Sequence, residues 1–100
     1  MKDTRFVVMH APGPRWRAGA PPFEQDGIAE HVSHYRTLLE AGKLEMGGPF
    51  TDAGGGGMMI VSPDVSRDEI EAFAAADPAV RSGLLRFDVR PWIVGMKRTG

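Results

Sequence analysis

Six stretches of this chain carry a clear hydrophobic period, and the order in which strand-like and helix-like periods follow one another restricts the fold more than any other feature. The first, TRFVVMH (residues 4–10), is apolar on both alternating faces, with Phe6 and Val8 on one and Val7 and Met9 on the other. A strand covered on both sides shows that pattern. Residues 11–25, APGPRWRAGAPPFEQ, hold four prolines and two glycines, which neither a helix nor a central strand can absorb, so a long loop is expected. In DGIAEHVSHYRTLLEAGK (residues 26–43), Ile28, Val32, Tyr35 and Leu39 recur at steps of four, three and four. That spacing lays them along one face of a helix that Gly42 can end. KLEMGGPF and GMMIVS then read as two short strands of a hairpin around a glycine-rich turn. SRDEIEAFAAAD (residues 66–77) opens with Ser66 and Glu69 in capping-box spacing and shows Ile70, Phe73 and Ala74 as its buried stripe. LLRFDVRPWIV alternates Leu85, Phe87 and Val89 against Arg86, Asp88 and Arg90, and its Pro91 suits an edge or a bulge.

Strand, helix, strand, strand, helix, strand is the order of a ferredoxin-like α+β fold, βαββαβ, in which both helices cover one face of a four-stranded antiparallel sheet. One hundred residues suit a single domain over positions 1–100. The sheet face away from the helices would leave Val7, Met9 and part of MMIV wet in a monomer. An apolar face of that kind predicts a homodimer with the two sheets packed against each other.

Composition narrows the function classes. There is no cysteine, hence no disulfide, thiol nucleophile or thiolate ligand, and a cytoplasmic setting is expected. A formal charge of −1 with both signs scattered offers no footprint for nucleic acid. No apolar run approaches the ~18 residues of a membrane span, so neither nucleic acid nor membrane is an expected partner.

HVSHYRTLLEAGKLEMGGPFTD, followed by glycines and a strand, and then DEIEAFAAADPAVRSGLLRFDVRPW, resemble the YciI-like (YCII-related) family along nearly the whole chain. The residues that carry the resemblance are His31 with Gly42, Gly48 with Pro49, and Asp77-Pro78 with Gly83. The resemblance implies a dimeric α+β barrel, and an active site in which His31 and Asp77 face one another. One branch of the family eliminates HCl from chlorinated aromatic breakdown products. The long loop over residues 11–25 departs from the short bacterial type, so a substrate does not transfer with the likeness.

Asp77 admits two readings from the residues alone. As the residue before Pro78 it can cap a short following turn; as the last member of the second helix it can meet His31 across the helix pair. A capping aspartate with one oxygen spare can do both. His31 flanks the core stripe beside Tyr35 and Leu38, where a histidine can be merely structural; a carboxylate that accepts its Nδ1–H would fix its tautomer and stabilise the imidazolium. His34 is expected to turn toward solvent and His10 to end the first strand. These three histidines fix no third ligand by spacing, so no metal and no cofactor are expected. The glycine run precedes a strand rather than a helix and does not form a phosphate cradle.

Gly48 and Pro49 would leave room for a ligand beside the pair, with Tyr35 on the adjoining helix face. Arg15, Trp16 and Arg17 in the loop, or Arg86 on the last strand, would supply contacts to an anion. The expected function is cofactor-independent acid–base chemistry by His31 and Asp77, an elimination, isomerisation or hydrolysis on a small anionic metabolite. The alternative is a non-catalytic small-molecule-binding or accessory protein of the same fold.

Overall fold

The structure is a computed structural model that describes residues 3–98. Its elements are strand β1 (Thr4–Pro12), helix α1 (Ile28–Glu40), strands β2 (Leu44–Pro49) and β3 (Gly57–Val61), helices α2 (Arg67–Ala75) and α3 (Pro78–Ser82), and strand β4 (Leu85–Ile93). The sheet order is β2-β3-β1-β4 with every pair antiparallel, the ferredoxin-like α+β arrangement.

Alternation sets which strand residues meet the helices. Val8 is opposite Met59 on one side and Val89 on the other, and these three pack with Val61, Tyr35, Leu38, Val65, Ile70 and Ala74 in one buried cluster. α2 starts where the sequence places it: Ser66 Oγ accepts from the Glu69 N–H at 3.1 Å. Ile70, fully buried, then anchors the helix with an apolar contribution of about 2 kcal/mol. α1 ends where Gly42 adopts φ 76° and the Lys43 N–H reaches the Leu38 carbonyl at 3.0 Å.

Three expectations are corrected. α1 buries His31, Tyr35 and Leu38, whereas Val32 and Leu39 are 37% and 45% exposed; the helix is rotated so that an imidazole takes the inward place given to Val32. β1 runs on to Pro12, paired with β4 as far as Leu85, so His10 lies inside a strand rather than at its end. α2 stops at Ala75, and Asp77 belongs to the start of α3.

The loop over residues 13–25 is tied down at several points. The Gly13 and Arg15 N–H groups donate to the carbonyls of Leu84 and Gly83 at 2.8 and 3.0 Å. The buried Gln25 amide accepts from the Arg17 N–H at 2.8 Å and donates to the carbonyls of Arg17 and Ala20 at 2.8 and 3.0 Å. Trp16 and Ile28 consequently pack against Ala79, Leu84 and Leu85 in a second apolar cluster.

Candidate active site

The site stands where β1, α1 and the α2–α3 junction meet. Asp77 is fully buried because the chain turns there: Pro78 fixes the first position of α3, and Asp77 Oδ1 accepts from the Ala79 N–H at 2.9 Å. This is an N-cap by the usual rule. Its second oxygen is left to face α1, where His31 Nδ1 donates to Oδ2 at 2.6 Å. Asp77 therefore caps α3 with one oxygen and meets His31 with the other, from the start of α3 rather than from the end of α2.

A third polar side chain joins them. His10 has the parity of Phe6 and Val8 on β1 and points to the helix side. Its Nε2 lies 3.9 Å from Asp77 Oδ2 and 3.5 Å from the Tyr35 hydroxyl. The two imidazoles meet edge to face with centroids 4.9 Å apart, and Tyr35 stands 5.2 Å from His31 and 5.5 Å from His10. Burial, and then the neighbouring His31, push the His10 imidazole down to about 4, only partly offset by Asp77. Burial and the Asp77 carboxylate hold the Tyr35 phenol well above its ordinary value. His10 was passed over in the sequence because the strand was ended on it; its even spacing from Phe6 and Val8 was the available signal.

The floor formed by His10, His31 and Tyr35 opens into a cavity of about 250 Å³. Its walls are mostly apolar: Trp16, Ile28, Val32, Leu39, Leu44, Met59 and Leu85, with Gly48 and Pro49 on the β2 side. The volume suits a ligand of about one substituted ring, given that an engineered cavity of roughly 150 Å³ holds benzene. The candidate contacts divide accordingly. His31, Tyr35, Trp16, Gly48 and Pro49 line the cavity together, while Asp77 sits behind His31. Arg15, Arg17 and Arg86 do not line it. Arg17 spends its guanidinium on the Glu24 carbonyl at 2.6 Å, and Arg86 is exposed opposite Ala11, away from the helices. The cation at the cavity is Arg36, one turn beyond Val32 and in no ion pair among the described residues. The face of α1 that reads as core in the sequence is the face that carries it.

His34 is also corrected: it is half-buried, stacked on Phe73 at 4.0 Å, with Nε2 hydrogen-bonded to the Phe73 carbonyl at 2.7 Å. The i, i+3 histidine pair is thereby split between two environments. Ligating atoms of His10, His31 and Asp77 do lie within 4.8 Å of one another. Ligands on a tetrahedral zinc at 2.0–2.1 Å stand about 3.3 Å apart, however, and the 2.6 Å His31–Asp77 contact is spaced for a shared proton.

The family model described as the YCII-related domain matches residues 5–93. The chain is also similar to the uncharacterized protein YjpA of Bacillus subtilis (strain 168), 34% identical over 70 residues, which cover 70% of this chain and 80% of that protein.

Proposed function

The chain belongs to the YCII-related domain family, and from that membership and the geometry of the cavity we propose that it is a cofactor-independent enzyme using His31 and Asp77 for general acid–base chemistry. The observation that carries this reading is the 2.6 Å contact between His31 Nδ1 and Asp77 Oδ2 at the floor of an apolar cavity. With Nδ1 committed to the carboxylate, Nε2 is the nitrogen free to take a proton from a substrate or return one. A positioned imidazole of this kind contributes roughly 10²- to 10⁴-fold in rate. The substrate is a small, largely apolar acid, its ring or chain against Trp16 and Met59 and its anionic group toward Arg36, where a guanidinium can bind a carboxylate through two N–H groups. Elimination, isomerisation and hydrolysis of a labile ester or lactone are all within reach of such a pair. The reading includes a cytoplasmic setting and a second copy of the chain against the open sheet face.

Asp77→Asn tests it. The Ala79 N–H requires an acceptor, so the asparagine carbonyl oxygen stays on the cap and its NH₂ faces His31. His31 Nδ1 must then accept, which moves the ring proton to Nε2. A change of this sort in a catalytic triad costs about 10⁴ in kcat. Nitrogen-15 spectra of the imidazole are expected to show the Nδ1–H tautomer in the unmodified protein and the Nε2–H tautomer in the variant. An unchanged tautomer removes the pair and leaves a binding or accessory protein.

A further inference from the structure

His10 is not needed for a histidine–carboxylate pair, yet it is buried beside one, and its placement repeats that of His31. Each ring turns one nitrogen toward Asp77 Oδ2, His31 through Nδ1 at 2.6 Å and His10 through Nε2 at 3.9 Å. Each has its other nitrogen without a partner among the described residues, although no fully buried side-chain nitrogen or oxygen there lacks one. His31 Nε2 and His10 Nδ1 are thus the atoms that meet the cavity both residues line. We propose that His10 is a second acid–base group of this cavity, coupled to His31 through the one carboxylate they share, so that the site suits reactions in which a proton leaves one atom of the substrate while another is delivered nearby.

This rests on the reading of His31 and Asp77 as an acid–base pair, and it narrows the chemistry to 1,2-elimination or a 1,3-proton shift. In an elimination, neutral His10 takes the proton from carbon through Nδ1 and the C–H electron pair becomes the new double bond. The bond to the leaving group breaks, and that group departs with its electron pair and the proton of His31 Nε2. One ring gains a proton and the other loses one, so the charge facing Asp77 is conserved and only moves between two neighbours of the same oxygen. Opposed environments for two titrating groups are how acid and base are assigned within one site. Here burial and His31 hold His10 neutral, at about 4. Loss of the proton from His31 removes that repulsion at the moment His10 accepts. The groups facing His10 are His31 and Tyr35 from α1 and Asp77 from the start of α3; its register partners Gly57 on β3 and Phe87 on β4 carry no charge.

Histidine-selective nitrogen-15 labelling tests this without a substrate, because the chain has three histidines and His10→Gln assigns one by its loss. The expected result in the unmodified protein is a His10 ring that stays neutral at about pH 5, well below the ordinary imidazole range, with its proton on Nε2. In His31→Gln the His10 midpoint should rise by about one pH unit or more, since a unit charge ~5 Å away has been removed. A His10 that protonates in the ordinary range, carries its neutral proton on Nδ1, or ignores the loss of His31 overturns the proposal. Should His31→Gln lose its amide dispersion, the tautomer and midpoint in the unmodified protein decide alone. Asp77→Asn reads only the His31 tautomer, so a failure of the His31–Asp77 pair and a failure of the His10 role alone give different results.

Discussion

Asp77 illustrates how one residue links fold and chemistry. Its Oδ1 holds the first turn of α3 and its Oδ2 holds His31, so burying the carboxylate is compensated by hydrogen bonds on both oxygens. His10 has only a long contact with the Tyr35 hydroxyl at 3.5 Å and a partial offset from Asp77, and the consequence is a pH dependence of stability. Its folded-state value of about 4 lies below the 6.5 of the unfolded chain, so the unfolded state binds the extra proton as pH falls. The contribution is fully present above about pH 6.5 and is lost progressively down to about pH 4. One unit corresponds to ~1.4 kcal/mol, which makes the loss about 2 kcal/mol between pH 7 and pH 5. Urea unfolding at those two pH values is expected to show that much more pH sensitivity in the unmodified protein than in His10→Gln; equal sensitivity would mean that His10 titrates normally when folded.

At the level of elements, most of the architecture could be read from hydrophobic period and turn chemistry: six elements in order, the Ser66 cap, the Gly42 stop and the antiparallel hairpin. The face of α1 could not, because the helix offers two overlapping stripes. Ile28, Val32, Tyr35 and Leu39 are apolar throughout, whereas His31, Tyr35 and Leu38 include an imidazole that only its partner on another element makes buriable. Val32 and Leu39 of the apolar stripe line the cavity instead of the core, which also conceals Arg36. Asp77 is unusual locally, an acid at the end of an apolar stripe, whereas His31 stands out through the family resemblance and that possible partner; the even spacing of His10 from Phe6 and Val8 becomes decisive only with β1 paired to β4 beyond residue 10. The β2–β3 turn gives the element-scale test. Gly56 has φ 75°, and a Cβ there would sit 2.1 Å from the His10 carbonyl oxygen, a backbone atom of the central strand that cannot swing away. Gly42 has nearly the same φ, 76°, with nothing within 4 Å. Gly42→Ala therefore costs only the left-handed penalty of about 1–2 kcal/mol, while Gly56→Ala costs that plus displacement of β1, expected at ~3 kcal/mol or more. Comparison of their denaturant midpoints checks the difference; equal losses would show that the turn accommodates a side chain as easily as a helix end.

For the molecule as a whole, the unanswered demand is the sheet face away from the helices. Met46, Met58, Ile60, Met9 and Trp92 share that face by register; Val7, expected to be wet, is already buried there, whereas Met46 and Trp92 are exposed, and Val7, Met9, Met58, Arg90, Pro91 and Trp92 form a shallow trough across it. Strands of nine, six, five and nine residues, at ~3.4 Å per residue and about 4.8 Å apart, present a plane of roughly 470 Å² before side-chain relief is counted. A second copy of the same face matches that plane in extent, and a two-fold pairing lets each trough receive the other's Met9 and Met58. The charges fit as well: Arg90 and Asp88 alternate along β4 at the margin, where a two-fold axis can set unlike charges opposite. Sedimentation equilibrium is expected to give twice the 10.9 kDa chain mass at micromolar concentration. Met9→Arg, which sets two cations against each other near the centre of the seam, should yield monomers whose His31 tautomer is unchanged, because Met9 points away from the cavity. A stable monomer of the unmodified chain would leave that face without a second copy to cover it.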